Sequence, residues 1–200
     1  ELTLTLMKKY IAELIGTFAL AFAIVLSLGL GLRIATPLVA GLVLGLFVYT
    51  IGPISGAHLN PAVTIAAFSL KRLNPKDTVG YLIAQFAGAG LALAIGKAFL
   101  LAPLAMQVES TSIVGLAEVM GAFFLAFGIA AVMHKKVSDQ AAGLVVGGSL
   151  LLGAMISGTV ANGLINPAVA VAVGSVNMYY ILGPIVGAII GMWVYRALAK

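Results

Sequence analysis

The tripeptide Asn-Pro-Ala occurs twice in this sequence, at residues 60–62 and at residues 166–168. The copies are 106 residues apart, and each opens an apolar run of only about eight to ten residues. Asn is a favoured N-cap and Pro suits the first position of a helix, so each copy predicts the start of a short helix. The fold must therefore accommodate two helices that are about half as long as a membrane is thick.

The two tripeptides belong to a longer internal duplication. Residues 12–22, AELIGTFALAF, match residues 117–127, AEVMGAFFLAF, in seven of eleven positions at an offset of 105. Further matches at an offset of 99 pair Tyr81, Gly88 and Ala89 with Tyr180, Gly187 and Ala188. Three matches in the same order predict two structural repeats, at about 8–101 and 111–198, within a single membrane domain over 1–200.

The rest of the chain is strongly apolar. Of its residues 62% are hydrophobic and 8% are charged, whereas soluble domains carry about 25% charged residues. Six apolar windows come near the length of about 20 residues that a helix needs to cross the hydrocarbon core. They are 9–32, 36–52, 78–101, 111–133, 141–157 and 178–198. The predicted fold class is an all-α integral membrane protein.

Each half contains three spans, which is an odd number, so the halves must cross the membrane in opposite directions. The two short helices then enter from opposite faces, and their N-terminal ends meet near the middle of the membrane. Backbone that is not helical is tolerated at that depth only where it packs in protein or lines water. We therefore predict an inverted repeat of six transmembrane helices and two re-entrant half-helices. Asn60 and Asn166 would offer amide N–H groups to a permeating molecule.

The net charge of +5 follows the predicted topology. Nine of the eleven basic residues fall on the face that carries both termini, and only Arg33 and Lys97 fall on the other. The positive-inside rule therefore predicts cytoplasmic termini. The basic excess indicates topology and contact with anionic lipid, and it does not indicate a nucleic-acid partner. The chain has no cysteine, which excludes disulfides and cysteine metal sites, and we expect no metal or cofactor.

These motifs resemble the major intrinsic protein family, the aquaporins and aquaglyceroporins, over essentially the whole chain. The resemblance is carried by AELIGTF at 12–18, SGAHLNPAVT at 55–64, IAQ at 83–85, AE at 117–118, INPA at 165–168 and LGP at 182–184. It implies an aquaporin-like bundle of six tilted helices with one pore per subunit, and a homotetramer in the lipid bilayer. The short loops favour a prokaryotic inner (plasma) membrane.

The resemblance also implies roles for single residues. It places the pore centre at Asn60, Pro61, Ala62, Asn166, Pro167 and Ala168. It makes backbone carbonyls of two loops the acceptors along the pore, at Gly56, Ala57 and His58 and at Asn162, Gly163 and Leu164. Glu13 and Glu118 are expected to brace these loops through backbone N–H groups. His58 is expected to be a packed, hydrogen-bonded loop residue. Four glycines are expected to allow close helix contact, namely Gly88, Gly90, Gly187 and Gly191.

The selectivity filter departs from the family pattern. Most members carry an Arg after the second Asn-Pro-Ala, where this chain has Val169. Counting from the motifs places the other filter positions at Ala40, Ala154 and Gly163, which are all small. We therefore expect a wide, apolar filter that passes water and small uncharged solutes such as glycerol, urea or neutral metalloid acids. The connection of about ten residues at 102–111 and Ala170 resemble the water branch instead, so a strictly water-selective aquaporin is the alternative.

Other functions are weaker alternatives. Inverted repeats with broken helices also occur in ion-coupled secondary transporters, but the spans offer no coupling site beyond Glu13 and Glu118. A membrane-embedded enzyme would need carboxylates, histidines or a Ser/Lys pair that converge at depth, and the sequence shows none. A relative with a blocked pore is the third alternative, and the small filter residues argue against it.

Overall fold

The described part of the chain folds into eight helices. The structure is a computed structural model that describes residues 2–100, 104, 106 and 108–200, with side chains from residue 7 onward. The helices are α1 Leu2–Gly29, α2 Thr36–Ser55, α3 Pro61–Ser69, α4 Pro75–Phe99, α5 Ser112–Met133, α6 Asp139–Ser157, α7 Pro167–Val173 and α8 Met178–Leu198. Six of these, all except α3 and α7, are long and apolar enough to cross a membrane.

The two short helices begin at the Asn-Pro pairs, as the sequence predicts. Asn60 caps α3 and Asn166 caps α7, and a Pro follows each cap at the start of the helix. The helices have 9 and 7 residues, which corresponds to about 14 Å and about 10 Å at the rise of an α-helix. Neither can cross a hydrocarbon core that is about 30 Å thick, so both are half-helices.

The packing of the helices follows the internal duplication. In the first repeat α1 packs against α2 and α4, and in the second α5 packs against α6 and α8. Each half-helix packs against the third span of the other repeat, so that α3 contacts α8 and α7 contacts α4. Contacts between α2 and α6 also join the two repeats. This arrangement confirms the predicted inverted repeat of six transmembrane helices and two half-helices.

Some predicted boundaries differ from the observed ones. Helix α1 begins at Leu2 rather than at residue 9, and α4 begins at Pro75 rather than at residue 78. The reason for the second difference is local, because the Asn74 side chain accepts a hydrogen bond from the Asp77 N–H at 2.8 Å and caps the helix. The connection predicted over 102–111 lies partly outside the described residues.

Glycines bring α2 and α6 into backbone contact. A Cβ added at Gly41 would lie 2.7 Å from the Gly147 carbonyl oxygen, and one at Gly45 would lie 2.8 Å from the Gly143 carbonyl oxygen. Real Cβ atoms do not approach a carbonyl this closely, so any larger residue would separate the two helices. The predicted close contacts at Gly88, Gly187 and Gly191 are also present, because a Cβ at each would meet a backbone carbonyl of α1 or α5.

The expectation for Gly90 is wrong. A Cβ at this position would have no atom within 4 Å, and the residue lies on the exposed side of α4. The physical reason is the helical period, since residues two positions apart do not share a face. Gly88 and Gly90 therefore point in different directions, and only Gly88 faces α1.

Candidate functional site

The two half-helices meet through reciprocal hydrogen bonds of their capping asparagines. The Asn60 amide Nδ2 donates to the Ile165 carbonyl at 3.0 Å, and the Asn166 Nδ2 donates to the Leu59 carbonyl at 2.9 Å. Each Oδ1 accepts a hydrogen bond from the backbone N–H of the second residue after the Asn. Asn60 Oδ1 accepts from the Ala62 N–H at 2.9 Å, and Asn166 Oδ1 accepts from the Ala168 N–H at 3.0 Å. One N–H of each amide therefore holds the opposite loop, and each amide carries a second N–H group.

The residues that precede the two asparagines adopt a strained backbone conformation. Leu59 has φ 48° and Ile165 has φ 44°, in the left-handed region that costs a residue with a side chain roughly 1–2 kcal/mol. For a β-branched residue such as Ile165 this conformation is exceptional. Both carbonyls that accept from the asparagine amides belong to these residues, so the strain is located at the junction of the loops. Such strain persists only where surrounding contacts impose it.

Glu13 supplies these contacts to the first loop. Its side chain is fully buried, with 0% exposure. Oε1 accepts from the His58 N–H at 2.9 Å and from Ser55 Oγ at 2.7 Å. Oε2 accepts from the Leu59 N–H at 2.8 Å and from Gln85 Nε2 at 2.8 Å. A carboxylate in hydrogen bonds of this kind makes stronger interactions than a neutral acceptor would.

Glu118 makes the equivalent contacts to the second loop. Its side chain is also fully buried. Oε1 accepts from the Leu164 N–H at 3.1 Å and from Ser157 Oγ at 2.8 Å, and Oε2 accepts from the Ile165 N–H at 2.7 Å. In both repeats, each of the two carboxylate oxygens thus accepts from one of two successive backbone N–H groups of the loop.

The motif A-E-x-x-G, which both repeats contain, has two functions at this site. The Gly lies three residues after the Glu and therefore on the same face of the helix. A Cβ at Gly16 would collide with Leu59, and a Cβ at Gly121 would lie 2.7 Å from Ile165 Cγ2. The Glu thus receives the N–H groups of the loop while the Gly makes room for the side chain of the strained residue.

The first loop has an additional polar network. His58 is 9% exposed, shares a hydrogen bond of 3.1 Å between its Nδ1 and Thr64 Oγ1, and packs edge-on against Tyr81. Gln85 Nε2 also donates to Thr64 Oγ1, at 2.9 Å. The positions that match these residues in the second repeat are apolar, namely Leu164, Ala170 and Pro184. The sequence patterns did not indicate a role for Thr64 or Gln85.

A cavity of about 340 Å³ lies between the ends of the helices on the face opposite the termini. All four predicted filter positions line it, namely Ala40, Ala154, Gly163 and Val169. Asn166 also lines it, so the cavity, which we call the outer cavity, reaches from the face opposite the termini to the junction of the half-helices. Of the predicted carbonyl residues, those of the second loop line this cavity and those of the first loop, residues 56–58, do not.

The wall of this cavity is mostly apolar. Leu20, Ile24 and Leu150 contribute hydrocarbon surface, and Thr36 and Asn162 contribute polar groups. None of the described residues that line the cavity carries a charge. The side chain of Asn162 is directed toward the segment after α7, because its Nδ2 donates to Ser175 Oγ at 2.9 Å.

Met106 is a cavity residue that the sequence did not indicate. It lies in the connection between α4 and α5 and lines the cavity beside the filter positions. Its Sδ lies 3.8 Å from Ser175 Oγ, which connects it to the segment that follows α7. A lone Met in a connecting segment carries no sequence signal for such a position.

The backbone requires the glycine at position 163. Gly163 has φ +64°, and a Cβ there would lie 2.6 Å from the Ala154 carbonyl oxygen and 3.1 Å from Gly158 Cα. Only glycine accepts this conformation readily. The width of the cavity at this point is therefore set by the main chain and not by the choice of a side chain.

Six transmembrane helices, two half-helices that meet at their N-termini and a cavity that leads to their junction define a membrane channel. Residues 2–195 match the family model of the major intrinsic proteins. The chain belongs to this family, which confirms the resemblance seen in the sequence motifs.

Similar proteins agree with this assignment. The chain is 32% identical to the probable aquaporin AqpM of Archaeoglobus fulgidus, with 100% of each chain covered. It is 33% identical to the glycerol uptake facilitator protein-like 6 of Lactiplantibacillus plantarum, over 97% of this chain and 99% of that one. The crystal structure of the aquaglyceroporin from Plasmodium falciparum has the same fold, with a TM-score of 0.71 at 20% identity, covering 98% of this chain and 96% of that one.

Proposed function

We propose that this protein is a passive channel for water and small uncharged solutes of the glycerol, urea and metalloid-acid class. The observation that carries the proposal is the outer cavity, in which all four filter positions are small or apolar and no described lining residue is charged. A filter of this kind imposes little steric or polar selection on a neutral solute. The names of the relatives include both an aquaporin and a glycerol uptake facilitator, which is compatible with a permissive pore.

In this mechanism a solute passes from the outer cavity to the junction of the half-helices. There the second N–H groups of Asn60 and Asn166 donate to it. Backbone carbonyls at 56–58 and 162–164 replace its lost hydration on either side of the centre. The positive ends of the two half-helix dipoles oppose cations at the same point, and this barrier does not depend on a filter Arg. Glu13 and Glu118 hold the loops so that these groups stay in position.

The same proposal includes orientation and assembly. The excess of Lys and Arg on the face of the termini supports cytoplasmic termini, and we place the protein in a prokaryotic plasma membrane. Homotetramers are the assembly that the family resemblance implies. An ion-coupled transporter is less well supported, because both intramembrane carboxylates are occupied by hydrogen bonds to the loops.

The experiment that tests the proposal compares Val169→Arg with wild type in proteoliposomes by stopped-flow light scattering. We expect wild type to conduct water and also glycerol or urea. An Arg at position 169 would project a large cation into the cavity, so solute flux should fall by about tenfold or more while water flux persists. Val169→Leu is the matched control, since it adds bulk without charge and separates the two effects.

Two results would contradict the proposal in different ways. If wild type conducts water alone, the small filter residues do not set the pore width and the strictly water-selective alternative applies. If wild type conducts neither water nor solutes while circular dichroism shows a folded helical protein, the channel is blocked elsewhere.

A further inference from the structure

We propose that a basic cavity on the face of the termini is a binding site for a phosphate group. The cavity has a volume of about 250 Å³. It is lined by Lys71, Arg72, His134 and Arg196, which are charged or titratable, and by the apolar Leu70. We call it the basic cavity. It lies at the ends of α3, α5 and α8, and it shares no lining residue with the outer cavity described above.

The basic residues come from three separate parts of the chain. After α3 the chain turns back at Lys71, with φ 59°, and the turn is fixed by hydrogen bonds from Lys71 N–H to the Phe68 carbonyl and from Arg72 N–H to the Ala67 carbonyl. His134 caps α5, and Arg196 lies in the last turn of α8. The cluster is therefore a product of the fold and not of a single basic run.

Two of the side chains are already held in place. The Arg196 guanidinium lies 4.9 Å from the centroid of the Trp193 ring, and the Trp193 Nε1–H donates to Ser69 Oγ at 3.0 Å. This connects the end of α8 to the end of α3. The His134 ring shares a hydrogen bond of 2.8 Å between Nδ1 and the Ala130 carbonyl, so Nδ1 donates and the orientation of the ring is fixed. A site arranged in advance loses less entropy when it binds.

No described acidic residue neutralises the basic cavity. Asp77 pairs with Lys9 at 2.8 Å and Asp139 with Lys135 at 3.3 Å. Glu13 and Glu118 are buried at the pore loops, and Glu109 precedes α5 on the opposite face. The C-terminal ends of three helices contribute about −0.5 charge each. These partial negative charges offset about half of the positive charge of Lys71, Arg72 and Arg196, and the potential in the basic cavity stays positive.

The chemistry of the lining favours phosphate. Two guanidinium groups match the planar pairs of oxygens of a phosphate and can donate to it in a bidentate manner, while the Lys acts as a compact charge. Trp193 is 46% exposed on the surface beside the cavity, and a Trp in such a position is typical of the membrane interface. The basic cavity therefore lies near the depth of lipid headgroups, although a soluble phosphate would satisfy the same groups.

The test uses the full chain purified in a neutral detergent. Native mass spectrometry measures the binding of phosphatidic acid, phosphatidylglycerol and phosphatidylcholine to wild type and to the R72Q/R196Q variant. The matched control is K8Q/K76Q, which removes two exposed cations from the same face outside the cavity. We expect wild type to prefer the acidic lipids, R72Q/R196Q to bind them about tenfold more weakly, and the control to stay within about twofold of wild type.

Addition of millimolar inorganic phosphate distinguishes the two sources of the ligand. If acidic lipid stays bound, the site takes a lipid headgroup, and if phosphate displaces it, the site takes a free phosphate. Equal losses in R72Q/R196Q and K8Q/K76Q would overturn the proposal, because the attraction would then be a property of the whole face. No preference for acidic lipid in wild type would overturn it as well. Should R72Q/R196Q fail to fold, K71N removes one cation at a position where Asn accepts a positive φ, and the same comparison applies.

Discussion

Glu118→Gln is expected to abolish water conduction and to lower the stability of the fold. Both oxygens of Glu118 accept a backbone N–H, Oε1 from Leu164 and Oε2 from Ile165. A Gln in either orientation therefore directs its NH₂ group at one of these donors. One hydrogen bond is lost and a buried N–H is left without an acceptor, at a cost of about 3 kcal/mol or more when the accepting group was charged. Ile165 would then relax from its positive φ and displace its carbonyl from Asn60.

Two measurements check this expectation. Stopped-flow light scattering gives the water permeability, and thermal unfolding followed by the fluorescence of Trp193, the single Trp of the chain, gives the stability. Glu13→Gln should behave in the same way, because its oxygens also divide two backbone N–H groups. Glu109→Gln is the control and should change the unfolding free energy by less than about 0.5 kcal/mol. If Glu118→Gln conducts and unfolds like wild type, the carboxylates do not hold the loops.

Gly187→Ala is expected to lower the stability of the fold, whereas Gly90→Ala is expected to leave it unchanged or to raise it. A Cβ at Gly187 would collide with the Val119 carbonyl oxygen of α5, and a backbone atom cannot move aside as a side chain can. Forcing α5 and α8 apart should cost about 1–3 kcal/mol or more. Gly90 has open space around its Cβ position, so Ala there should be neutral or stabilising by about 0.5–1 kcal/mol through its higher helix propensity.

The measurement is the midpoint of thermal unfolding of the two variants and of wild type in the same detergent. Gly187→Ala should unfold at a lower temperature than wild type and Gly90→Ala at the same or a higher one. A similar decrease in both variants would show that the close contact at Gly187 does not determine the result. No decrease in Gly187→Ala would show that α5 and α8 can separate without cost.

Much of the architecture can be predicted from the sequence because the signals are local. An Asn-Pro pair before a short apolar run specifies the start of a half-helix, and the number of spans in each repeat fixes the inversion. The same local reasoning explains why α4 begins at Pro75, since Asn74-Pro75 is a further cap of this kind. The helical period also explains the difference at Gly90, because a spacing of two residues places Gly88 and Gly90 on different faces.

Other features depend on contacts between distant segments, and the sequence motifs do not reveal these contacts. Thr64 and Gln85 meet only because α3 and α4 pack together, and Met106 reaches the outer cavity only through the course of its connecting segment. The basic cavity joins the ends of three helices that are far apart in the chain. Basic residues at such positions resemble an ordinary positive-inside signal until the fold places them together.

The packing of each half-helix against the third span of the other repeat has a consequence for assembly. Because α3 contacts α8 and α7 contacts α4, neither repeat encloses its own half-helix. A chain cut between α4 and α5 would therefore give two fragments in which each half-helix lacks the span of the other repeat that it packs against. Such fragments would reconstitute the protein only if they entered the bilayer with opposite topologies and then exchanged half-helices. The continuous chain fixes both conditions during synthesis.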